Sequence, residues 1–95
     1  MTLDPSKIYK VTHSIQYRGR NEGIFKSDLQ HDEDRWWVVL EWTTNHDGEY
    51  PSLRHPVEDH DLRPLGPAEV LLECPVEIPE HPTATEVIAT LKARR

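Results

Sequence analysis

The chain has 95 residues, 36% of them hydrophobic, a net charge of −6 and one cysteine. That length forms one domain, 1–95, with a modest core. A lone thiol excludes an internal disulfide framework, and no apolar run approaches the ~20 residues that span a bilayer.

Met1-Thr2-Leu3-Asp4-Pro5 has neither the basic nor the apolar region of a secretion signal. The expectation is a cytoplasmic bacterial protein with no membrane partner. Charge is unevenly spread. Residues 1–26 carry Lys7, Lys10, Arg18, Arg20 and Lys26 against Asp4 and Glu22. Residues 27–61 carry ten carboxylates against Arg35 and Arg54. Such a middle repels phosphate and attracts basic partners; it also keeps a sheet soluble and its edges unpaired.

The first strand is expected from Lys7 to Arg18, where Tyr9, Val11, His13, Ile15 and Tyr17 alternate with polar residues. Arg18 to Gly23 is a turn with two glycines. A short second strand runs from Ile24 to Leu29, followed by a turn over Gln30–Asp34. The third strand, Arg35–Thr43, places Trp36, Val38, Leu40 and Trp42 on one face and Trp37 and Val39 on the other. Its first half is apolar on both sides, as a central strand requires.

Asp47-Gly48 signals a turn. A fourth strand over Pro51–Val57 is interrupted by Pro56, and Glu58–Leu62 makes a helical turn that stops before Pro64. Val70, Leu72, Cys74, Val76 and Ile78 alternate without a miss, with Pro75 and Pro79 on the polar phase. This predicts an edge strand, one that is free to pair with a second copy and give a homodimer. Thr83 and Glu86 have capping-box spacing, and Val87, Ile88 and Leu91 make an apolar stripe. A helix over 83–94 follows, too short to stand without a docking surface.

The expected fold is mainly β: 7–78 as a small SH3-like barrel of four to five antiparallel strands, 83–94 as a C-terminal α-helix. The alternative is an open β meander with the helix packed on one face.

Asp32-Glu33-Asp34 leads into Trp36-Trp37, and Gly48-Glu49-Tyr50-Pro51-Ser52 follows. This resembles SH3 domains, in which an acidic loop precedes a Trp-Trp strand and a Gly-aromatic-Pro-Ser segment comes later. The likeness is one of architecture: the first strand lacks the SH3 opening motif, and Glu49 interrupts the Gly-aromatic pair. It implies recognition of a basic or proline-rich peptide by Trp37, Tyr50, Asp32, Glu33 and Asp34. Aromatics stack on proline rings while carboxylates hold a ligand cation. Two Pro-x-x-Pro segments, Pro64–Pro67 and Pro79–Pro82, offer a ligand of that type in cis or in a dimer.

Six histidines raise metal binding. His46 and Asp47 share one loop; His55 and His60 flank another. If the loops meet, zinc is the fitting cation, though no established ligand spacing is present. Cys74 sits on an apolar phase, where a thiol is an inert small hydrophobe. No glycine-rich phosphate loop occurs. The pattern argues against an enzyme and for no resident cofactor. Arg18, Arg20 and Lys26, beside Tyr17 and Phe25, make a basic hairpin of the kind that binds nucleic acid, but the acidic balance opposes that. The functional expectation is a non-catalytic protein or peptide interaction module.

Overall fold

Residues 2–40, 53–80 and 83–93 are described by the computed structural model. They form seven strands: β1 Tyr9–Tyr17, β2 Arg20–Asp32, β3 Arg35–Leu40, β4 Leu53–Val57, β5 Leu62–Pro64, β6 Glu69–Leu72 and β7 Val76–Glu77. One helix, α1, runs over Ala84–Ala93, and Asp59–Asp61 makes a 3₁₀ turn. The sheet order is β4-β3-β2-β1-β6-β5, with β7 also on β1.

β1 to β4 form an antiparallel meander. The two hairpin turns are each two residues long, and both take the left-handed backbone that matches strand twist. Arg18 and Gly19 have φ of 54° and 75°; Glu33 and Asp34 have 53° and 63°. The second turn holds this conformation without any glycine. Its Glu33 N–H is satisfied by the Asp32 carboxylate at 3.0 Å.

β2 outruns the expected Ile24–Leu29 at both ends: Gln30–Asp32, expected in a turn, pair with β3, and a bulge that changes the phase carries the strand back to Arg20. Ile15 faces Gly23 and Gln16 faces Asn21, so Glu22 is the extra residue. Gly23, at φ 127°, accommodates the bend, and its N–H donates to the Asn21 side chain at 2.8 Å.

Two expectations are corrected. β6 and β7 run parallel to β1, so the sheet is mixed. β6 is also flanked by both β1 and β5, and is therefore not the edge that its prolines suggested. Among the described residues the strand path ends at β4 and β5, which carry Pro56 and Pro64, and β7 pairs on one side only. The strand pairing is interrupted at Glu73–Pro75, where the chain leaves β6 and returns to β1 as β7, yet the alternation persists: Val70, Leu72, Val76 and Ile78 are buried and Cys74 packs against the core.

The sheet is open, the second of the two expected architectures, yet strongly curled. Six strands at ~4.8 Å spacing separate the outer edges by ~24 Å if flat. Val57 on one edge and Leu62 on the other are only five steps apart, a reach of at most ~17 Å. The sheet must bend to satisfy that link. Its concave face carries the core: Val11, Ile15, Phe25, Leu29, Trp36, Val38, Leu40, Val57, Val70, Leu72 and Val76 are all buried. Trp36 meets Tyr9 edge-on at 5.9 Å between ring centres.

Helix α1 starts where the Thr83 carbonyl accepts the Val87 N–H at 3.0 Å. Ala84, Val87, Ile88 and Leu91 join the same core. Lys92 pairs with Glu22 at 3.1 Å, which ties the last turn of the helix to the β2 bulge. No helix among the described residues is long and apolar enough to cross a membrane.

Candidate functional site

Period-two alternation puts Trp37 on the convex face, opposite the core side chain of Trp36. There it is half-buried. Register places it between Gln30 of β2 and Pro56 of β4. Its indole N–H donates to the Asp32 carbonyl at 2.9 Å, so the ring cannot rotate freely. Arg54 lies over the ring at 4.2 Å from its centre, and Arg35 at 5.8 Å. A guanidinium above an indole face is attracted by the ring quadrupole.

Carboxylates surround this stack. Arg54 pairs with Asp32 at 3.3 Å and Arg35 with Glu58 at 3.1 Å. All four side chains are exposed, so each pair stabilises the fold by at most ~1 kcal/mol. Their effect is orientational: they hold two cations over one aromatic surface. Glu33 and Asp34 form the tip of the adjoining turn and are exposed. The structure thus brings Trp37, Asp32, Glu33 and Asp34 together at one end of the β2–β3 hairpin. Tyr50, the fifth residue expected here, lies outside the described residues. Arg54, Pro56 and Glu58 were missed, because strand register is not written in a single sequence. Arg35 was legible: it is two positions before Trp37 and shares its face.

The histidine expectation has a partial outcome. His46 and Asp47 lie outside the described residues. His55 is half-buried on β4 opposite the core residue Val38. His60 is exposed on the 3₁₀ turn, 3.5 Å from Asp61. Among the described residues no three His, Cys, Asp or Glu side chains converge on a cation position. Burial lowers the His55 pKa from its ordinary value, with Glu77 opposing the shift.

A polar pair inside the core escaped the sequence reading. His13 is 1% exposed and Ser27 8%. His13 Nδ1 lies 3.2 Å from the Ser14 carbonyl, so Nδ1 carries the proton. Nε2 then accepts from the Ser27 hydroxyl at 2.7 Å. The ring stacks on Phe25 at 6.4 Å. Burial lowers its pKa; the Ser14 carbonyl opposes this and nearby His55 adds to it. The imidazole is neutral, with both nitrogens satisfied and no access to solvent. It is a satisfied core group.

Cys74 is half-buried and packs against the core. Burial raises its pKa, and the Asp61 carboxylate raises it further. This keeps the thiol protonated, the unreactive form. Of the Pro-x-x-Pro segments, Pro64 closes β5, and Leu65 and Gly66 turn back to donate to the Glu69 carbonyl. That segment is a reverse turn. The second segment includes residues outside those described.

The basic hairpin borders a cleft of about 310 Å³ against α1. Tyr17, Arg18, Arg20, Glu22, Ile88 and Lys92 are among its walls. Phe25, by contrast, is buried at 3% exposure and presents no stacking face.

No family model, no characterised protein and no solved structure matches this chain.

Proposed function

We propose that the protein is a non-catalytic interaction module that binds a basic or proline-rich segment of a partner protein across the convex face of β3 and β4. One observation carries the reading: Trp37, a large aromatic held in a fixed orientation by its indole N–H, lies outside the core amid exposed charge. Tryptophan and arginine dominate binding energy at protein interfaces. Here Trp37, Arg35 and Arg54 share one patch. The surrounding Asp32, Glu33, Asp34 and Glu58 outnumber those two cations, so the patch as a whole favours a positive ligand. Arg54 already occupies the ring face in the manner expected of a ligand cation. A partner arginine or proline would displace it and leave it paired with Asp32.

The test is a titration with arginine-containing proline-rich peptides, followed by tryptophan fluorescence for the wild type and by calorimetry for both wild type and variant, with an acidic peptide as control. Saturable change with the basic peptide alone is expected, together with at least tenfold weaker binding by Trp37→Ala, a loss on the ~1.4 kcal/mol scale of an interface aromatic. Equal binding by Trp37→Ala sinks the reading.

A further inference from the structure

The two ends of the long β2 strand carry opposite unspent charge. At one end the Glu33-Asp34 tip is exposed, and neither side chain has an ion pair among the described residues. At the other end lies the cleft between the first hairpin and α1. Arg20 has no acidic partner there among the described residues. Arg18 is held by Glu80 at 3.0 Å between two exposed side chains, and Lys92 by Glu22 at 3.1 Å, with Lys92 exposed and Glu22 half-buried. The exposed Arg18–Glu80 pair exchanges partners at little cost. The Tyr17 ring, with Arg18 stacked at 5.2 Å, and Ile88 supply apolar walls. At about 310 Å³ the cleft is at the small end of ligand sites. It has room for the side chains of one turn and not for a long peptide.

We infer that this cleft receives the Glu33-Asp34 tip of a second copy of the chain. The inference shares the acidic turn with the function proposed above and does not use the Trp37 surface. The tip suits the role because two consecutive left-handed residues make a narrow hairpin end. It cannot reach the cleft of its own molecule. Arg20 and Asp32 are twelve strand steps apart, ~40 Å at ~3.3 Å each, along a molecule whose longest dimension is 39 Å. Each copy offers one tip and one cleft, so two antiparallel copies exchange tips in a closed dimer, and an unreciprocated contact runs head to tail.

Sedimentation velocity tests this on the full chain. At ~0.01 M salt, where the Debye length is ~30 Å, the average mass should rise with protein concentration; at ~1 M, where it is ~3 Å, the protein should be monomeric. Two charge reversals separate the ends: R18E/R20E in the cleft and E33K/D34K at the tip. Each alone should remain monomeric at low salt, and an equal mixture should associate again, since each reversed end finds its complement. Glu33→Asn with Asp34→Gly removes the same charges with a turn sequence suited to this backbone. It keeps the test valid if the lysine variant fails to fold by circular dichroism. A wild-type monomer at every concentration and salt overturns the inference. So does association that survives either reversal alone, or a mixture that stays monomeric. Binding of inorganic pyrophosphate to a protein that never self-associates also overturns it and assigns the cleft to a small anion. Failure of the peptide titration is a separate result, read on bound peptide and not on protein mass.

Discussion

His13 is the residue whose environment most directly sets a solution property. It is neutral, sealed in the core, and spends both ring nitrogens on Ser14 and Ser27. Charging it would remove the acceptor that the Ser27 hydroxyl uses and place a cation in an apolar interior. Its folded pKa is therefore below the ordinary 6.5. Above pH 6.5 neither folded nor unfolded chain binds the proton, and stability is unaffected. As pH falls through 6.5 the unfolded state takes up a proton that the folded state refuses, so stability declines. His55 shifts in the same direction and adds to the decline. Denaturant midpoints measured between pH 8 and 5 should fall with acidity, and His13→Gln should flatten that dependence. A wild-type midpoint that is constant over this range would contradict the assignment.

At the scale of elements, the β2–β3 hairpin carries backbone strain. Glu33 and Asp34 both occupy the left-handed region, which costs a residue with a Cβ about 1–2 kcal/mol. Asn-Gly is the sequence this turn prefers. Replacing Glu33-Asp34 by Asn-Gly is expected to stabilise the protein by about 1 kcal/mol, measured as a shift in urea midpoint at constant slope. An unchanged or lowered midpoint would mean that the carboxylates stabilise the turn by contacts absent from this structure. The first hairpin relieves one of its two left-handed positions with Gly19, leaving only Arg18 with a Cβ there. Helix α1 illustrates the converse: its ten residues are too few to be stable alone, and docking of Val87, Ile88 and Leu91 on the core holds them.

For the whole molecule, one curled sheet must supply nearly all the stability. Removing a buried tryptophan typically costs ~3–5 kcal/mol of a total near 5–15. Trp36→Ala should therefore unfold a large part of the population near 37 °C, while Trp37→Ala, on the outer face, should cost about 1 kcal/mol. Calorimetry of the two variants checks this; equal losses would show that Trp37 also supports the core. Among the described residues the strand path ends at β4 and β5, and both hold a proline. A residue without an N–H interrupts the row of donors on which another strand would pair. Edge-to-edge addition at β4 and β5 is thus discouraged.

What the amino-acid order determined by itself is the local pattern. Alternation placed β1 and β3, assigned Trp36 to the core and Trp37 to the outer face, and marked the helix from its cap and apolar stripe. These follow from periods of two and 3.6, which need only neighbouring residues. The acidic turn beside Trp37 was legible for the same reason. Tertiary structure decided what depends on distant pairing: the parallel return of β6 and β7 to β1, the edges at β4 and β5, and the Arg54–Trp37 stack. It also decided the His13–Ser27 bond and the closeness of Lys92 to the first hairpin. None of these has a local signal, because each is set by strand register and by a link too short to let the sheet lie flat.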